Sequence, residues 1–257
     1  MKRTIKNLMG FTMGATDGEI GEVTDFYFDD LTWTVRYLVV ETGNWLSNRE
    51  VLISTEALLP GDWENEKFPV NLTKAQIEKS PDIDTNQPVS RQHETELYTH
   101  YSWSNYWGGG LWAGGLGTTG MIMPMAPELL EDDVEKNKNN SEVDADRDPH
   151  LRSAKKVHGY NIHALDGDIG DVEDFIIEDS NWTIDYMVVD TGNWFPGKKV
   201  TLSPKLIKDI KWETSEVTVN ASVEHVKNSP EYDASKNVST EYEANLKNHY
   251  GGFNSHK

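Results

Sequence analysis

The sequence predicts a mainly β protein in which one small-barrel unit, about six short strands followed by two small helices, is used twice. Two observations carry that reading. The run Trp33-Thr34-Val35-Arg36-Tyr37-Leu38-Val39-Val40-Glu41-Thr42-Gly43-Asn44-Trp45 returns without a gap as Trp182-Thr183-Ile184-Asp185-Tyr186-Met187-Val188-Val189-Asp190-Thr191-Gly192-Asn193-Trp194, at a constant offset of 149 residues. A recurrence of that length is one structural unit duplicated. The run also alternates at first and then becomes apolar on both sides, with Leu38 and Val40 opposite Val39. A strand buried on both faces needs a barrel interior behind it and a covering element in front.

Taken in order, the first unit opens with an extended run from Asn7 to Met13 and turns at Asp17-Gly18, a pair suited to positive φ in a hairpin. A strand from about Glu19 to Asp29 puts Ile20, Phe26 and Phe28 on one face and reaches Val23 only through a bulge. Asp29-Asp30-Leu31-Thr32 leads into the Trp33 strand, and a short strand Glu50 to Ile53 follows. Ser54 to Ala57 reads as one helical turn, and Leu58-Leu59 with Asp62-Trp63 pairs back on Lys67 to Asn71. Thr73 caps a short helix with Gln76 in the capping-box position, and Ser90 caps a second helix from Arg91 to about Tyr101. The second unit repeats the script, Asp166-Gly167, Asp174-Phe175, Trp212, Ser229-Pro230 and His249-Tyr250 standing for Asp17-Gly18, Asp25-Phe26, Trp63, Ser80-Pro81 and His100-Tyr101. The expected boundaries are residues 1–107 and 151–257 for the units. Residues 108–150 form a linker, glycine-rich first and then acidic.

Composition narrows the function classes. A net charge of −19, from 24 Lys and Arg against 43 Asp and Glu, disfavours phosphate backbones, whose binding needs clustered cations. With no Cys there is no disulfide, thiol nucleophile or Cys-ligated metal. Lys2, Arg3 and Lys6 precede an apolar patch of Leu8 to Phe11, too short for a signal-peptide core, so the start reads as mature and cytoplasmic.

The D-G-x-I-G-x-V-x-D-F run, the W-x-V-x-Y-x-V-V-x-T run and the later Ser-Pro and His-Tyr elements together resemble the PRC-barrel family, the small β-barrel of the reaction-centre H subunit and of a ribosome-maturation factor. The resemblance covers about Lys6 to Trp107 and Lys155 to Tyr250, and is strongest to bacterial proteins with two such barrels in tandem. It implies no catalytic residues and no cofactor; it implies a module that docks against other proteins. The second copy keeps the family-like Trp194-Phe195-Pro196-Gly197-Lys198-Lys199-Val200, whereas the first departs at Leu46-Ser47-Asn48-Arg49-Glu50.

Residues that could carry other chemistry have plainer explanations. Gly115 to Gly120 spells the dinucleotide fingerprint, but Pro124 and Pro127 follow at once and no strand-turn-helix surrounds it. Tyr101 to Pro127 is uncharged, yet seven glycines and two prolines make a poor membrane helix. Its Trp103, Trp107 and Trp112 leave a peripheral membrane contact open. The acid-rich turns lack EF-hand spacing, so no metal is expected. Ser54 and Ser203 read as helix caps, and His93 and His225 as helix-surface residues. Arg36 and Asp185 occupy equivalent positions with opposite charge, which suggests that the two barrels pack as a pseudo-two-fold pair through the second face of this strand. The expected function is a non-enzymatic interaction or assembly module. Its candidate contact residues are Trp45, Trp194, Arg36, Asp185, Trp107 and Trp112, toward an unidentified protein partner or a second copy. The alternatives are an RNA or ribosome-maturation adaptor and a small-ligand module at the barrel interface.

Overall fold

The structure, a computed structural model, describes residues 1–81, 89, 91–103, 150–192 and 198–251. The chain divides into two compact units, one made of Met1–Ile77 with His150–Lys257 and the other of Glu78–Pro149. Among the described residues of the second unit is helix α2 (Arg91–Tyr101). Its end is closed by a left-handed Ser102, after which Trp103 stacks on Tyr101 at 4.3 Å.

The first unit is mainly β, its described residues forming a 13-stranded sheet with short helices. From the first copy of the repeated sequence come β1 (Lys2–Thr4), β2 (Thr12–Ala15), β3 (Gly18–Asp29), β4 (Thr34–Glu41), β5 (Glu50–Ser54), β6 (Lys67–Pro69) and helix α1 (Lys74–Glu78). From the second come β7 (Leu151–Ser153), α3 (Ala154–Val157), β8 (Asn161–His163), β9 (Asp168–Glu178), β10 (Thr183–Asp190), β11 (Lys199–Leu202), β12 (Ile207–Lys211), β13 (Glu216–Val219), α4 (Val223–Lys227) and α5 (Thr240–Tyr250).

Several expectations hold in detail. Val23 is buried beside Ile20, Phe26 and Phe28, and the β3–β4 register slips between Val23 and Asp25, the bulge that alternation alone required. β4 is buried on both faces from Tyr37 to Val40. Ser54 accepts from the Glu56 amide, and Thr73 and Gln76 close the capping box at 2.9 and 3.3 Å. Gly21 and Gly170 explain the Ile-Gly pair in each copy. A Cβ there would lie 1.9 Å from the Glu41 carbonyl oxygen and 2.1 Å from that of Asp190, so only glycine lets the strands approach.

The beginning of each copy departs from the sequence reading. The run expected to be extended from Asn7 starts instead inside a 3-10 turn, Lys6–Leu8, and a strand precedes it at Lys2–Thr4. That strand, β1, pairs with β9 of the second copy, Lys2 opposite Glu178 and Thr4 opposite Ile176. In return β7 pairs with β3 of the first copy, Leu151 opposite Asp29 and Ser153 opposite Tyr27. The two registers are identical once the 149-residue offset is applied. Each copy therefore hands its first strand to the other. Long strands make this workable: β3 pairs β2 along Gly18–Glu22 on one edge, and the same edge, free beyond β2, receives β7 at Tyr27–Asp29. Such short strands miss periodicity arguments because three residues show no period.

The copies also meet where β4 and β10 begin. Thr34 lies opposite Thr183, the Val35 amide donates to the Trp182 carbonyl at 2.8 Å, and the Ile184 amide donates to the Trp33 carbonyl at 2.7 Å. Trp33 and Trp182 hold left-handed backbones, φ 53° and 60°, a strain on the order of 1–2 kcal/mol each that the paired carbonyls fix in place. β4 and β10 thus meet edge to edge, not through a second face.

Candidate functional site

The strand exchange is anchored by charges inside the sheet. Arg152 on β7 is almost completely buried, and its Nε donates to Asp30 at 2.7 Å. Arg3 on β1 repeats this with Asp179, also at 2.7 Å. Burial pushes the Asp30 carboxyl up against the pull of Arg152. At Asp179 burial acts the same way, but the N-terminal ammonium and Arg3 together hold the carboxyl below its ordinary value. One residue pair further in, the buried Asp25 accepts from the Ser153 hydroxyl and from the Lys155 amide at 2.9 Å. Asp174 accepts the Lys6 amide at 3.1 Å. Burial raises both carboxyls, that of Asp174 to about 6. Each aspartate caps the helical turn that follows the strand received from the other copy, satisfying an amide that a helix start leaves unpaired.

Beside the β1 end of this junction lies a cleft of about 340 Å³. Asp185 and Tyr186 come from β10, Lys2 from the exchanged β1, and Glu243, Leu246 and Tyr250 from α5. The Lys2 ammonium contacts Asp185 directly and Glu243 at 3.0 Å, and it lies 5.6 Å from the Tyr186 ring centre. The Tyr186 hydroxyl donates to Glu243 at 3.3 Å. Helix α5 is capped by Ser239, which accepts the Tyr242 amide at 3.1 Å, and packs through buried Leu246 and Tyr250. Burying such side chains stabilises by roughly 1.5–3 kcal/mol each. Its last turn is tied by His249, whose Nε2 donates to the His225 carbonyl at 2.8 Å while the two rings stack at 4.4 Å. His225 is thus part of a packed pair, not a helix-surface residue, and burial lowers its pKa.

Burial pushes the Tyr186 and Tyr250 hydroxyls up to about 12. Although burial works against it, the hydrogen bonds to Asp185 and Glu243 leave the Lys2 ammonium above its usual value. Near neutral pH the cleft therefore presents neutral phenols and an ammonium held between the Asp185 and Glu243 carboxylates. Lys205 and Lys247 stand at the same cleft.

The remaining sequence candidates fall in several places. Asp185 is in the cleft, but Arg36 turns to its own copy, donating to the Thr32 hydroxyl at 3.1 Å and lying 3.6 Å from Asp29. Trp45 is half-buried; its indole N–H donates to the Ile20 carbonyl and Lys74 sits 4.4 Å over its ring. Trp194, Trp107 and Trp112 lie outside the described residues. The Asp-Gly turns cap helices: Asp17 accepts the Lys74 amide at 2.8 Å and Asp166 the Val223 amide at 2.7 Å. Ser203 precedes its turn without a side-chain cap, unlike Ser54, and Pro204 occupies the first turn position. Among the described residues, no helix is long and apolar enough to cross a membrane and no cluster of His, Asp and Glu could hold a metal. Sequence reasoning missed Lys2, Glu243, Arg3 and Arg152. The signal was there in the recurrence of Arg3 as Arg152 and of Asp30 as Asp179 at the same offset as the tryptophans. Residues 13–76 match the family model of the PRC-barrel domain. No curated protein matches the chain.

Proposed function

We propose, starting from a chain whose residues 13–76 carry a PRC-barrel domain, that the protein is a non-enzymatic interaction module built from two PRC-type barrels related by a pseudo-two-fold axis, and that it docks a protein partner at the cleft over Lys2 and Asp185. The recurrence of strands, registers and salt bridges at one offset supports the two-barrel reading. The cleft carries the docking reading. It sets buried aromatic and aliphatic side chains, Tyr250, Leu246 and Leu206, among Lys205 and Lys247, the combination of an apolar anchor site with a charged rim that recurs at protein interfaces. The excess of carboxylates elsewhere speaks against an RNA adaptor.

Affinity purification of the tagged protein from its native cell tests this reading. A partner is expected with the wild type and is lost with Lys247→Glu, a substitution at the cleft that leaves the core intact. A partner retained by Lys247→Glu and by Leu206→Glu would place the docking surface elsewhere. A second reading rests on cleft size. About 340 Å³ lies within the range that holds small ligands, and the ion cluster would orient one. A ligand there would raise the melting temperature of the wild type and not of Lys2→Ala.

A further inference from the structure

The strand exchange is symmetric in backbone and asymmetric in charge: the β1 junction adds Lys6 with Glu173 and the N-terminal ammonium with Glu178, and the sharpest reversal of sign falls at the pair of positions that holds Lys2 and Asp185. The anchors that recur, Arg3 with Asp179, Arg152 with Asp30, and the capping carboxylates Asp25 and Asp174, would serve any pairing of the two halves. Next to them the copies differ. At one junction Lys2 on β1 meets Asp185 and Glu243. At the other, Leu151 stands in the place of Lys2 and is buried, while Arg36 stands in the place of Asp185 and is engaged by Asp29 and Thr32 of its own half.

We propose that these positions form a pairing code. The surface that each half, residues 1–77 or 150–251, offers to a donated strand fits the opposite half, from the same chain or from a second copy of it, and rejects its own kind. A first-half strand laid on another first half would bring Lys2 alongside Arg36, two cations in a partly buried site. A second-half strand laid on another second half would set Leu151 beside Asp185 and remove the ammonium that Asp185 and Glu243 share. Like-charge contact in one pairing and an uncompensated acid in the other are the repulsive elements from which specific pairing is built. Lys2 with Asp185 supplies the attractive one.

The test uses the full chain with a site-specific protease sequence inserted within residues 104–149. The cleaved protein is unfolded in guanidinium and refolded, and the species are counted by native mass spectrometry. Wild-type halves are expected to return as first-with-second pairs, with homotypic pairs at least about tenfold rarer. Asp185→Arg is expected to bring the refolded halves to a near-statistical mixture, because trading two heterotypic pairs for one of each homotypic pair then leaves the number of Lys-with-Arg contacts unchanged. Adding Lys2→Leu leaves every junction with the Leu-with-Arg chemistry of the second one, so the double variant also refolds to a near-statistical mixture, without the Lys-with-Arg contacts that weaken Asp185→Arg. On the uncleaved chain, Asp185→Arg lowers the melting temperature and Lys2→Leu recovers it. A statistical mixture from the wild type, halves that separate on cleavage, or an Asp185→Arg defect that Lys2→Leu does not relieve would overturn the proposal.

Discussion

Asp174 is a carboxylate taken out of water to hold a backbone amide, and its protonation is linked to stability. Its folded-state pKa, about 6, lies above the ordinary 3.8 because burial penalises the charge. The folded chain therefore binds this proton more tightly than the unfolded chain. The stabilisation from the proton is complete below the unfolded value and is lost as pH rises through about 6. Between pH 7 and pH 4 the wild type is expected to gain stability relative to Asp174→Asn, by on the order of 2 kcal/mol. Urea unfolding at several pH values measures the difference, and parallel curves for the two proteins would remove Asp174 from the account. Gly21 makes a second residue-scale case. With the Glu41 carbonyl 1.9 Å from any added Cβ, Gly21→Ala must part β3 from β4. Overpacking of that kind costs about 1–3 kcal/mol or more, read as a lower denaturant midpoint. Gly170→Ala should do the same against Asp190.

Among the elements, the long ones were legible in sequence and the exchanged ones were not. β3, β4, β9 and β10 announce themselves through alternation, turn residues and the double apolar face, and the bulge at Val23 follows from counting. β1 and β7 are three residues each, their neighbours lie about 150 positions away, and nothing local says which edge they join. Ion pairs disclose them only afterwards. In the aromatic turn, Trp45 is half-buried and its indole is already used within its own copy, a bond that no local pattern discloses. The weight on β7 can be measured. Arg152→Ala takes the main partner from the mostly covered Asp30 carboxylate, leaving it His150, and is expected to cost about 3 kcal/mol. Amide exchange should quicken at Tyr27 to Asp29, the part of β3 that β7 covers, before it does so at Gly18 to Glu22, which β2 covers. Uniform quickening would show that β7 is not a separate anchor.

At the scale of the whole molecule, the reciprocal strands bear on how the chain comes to be made. The Arg152–Asp30 contact spans 122 residues and the Arg3–Asp179 contact 176. Contacts of that separation slow folding, because the loop must close before they repay its entropy. On a ribosome adding about 5–20 residues per second, the edge of β3 waits roughly 6–25 seconds for β7 to be synthesised. Through that interval Tyr27 to Asp29 is an open strand edge, and open edges recruit other chains. β1 waits longer still, its place on β9 being the later to emerge. The first half of this protein therefore has a period of vulnerability during its own birth, and the rate of translation across residues 78–150 is expected to set how much of it escapes aggregation.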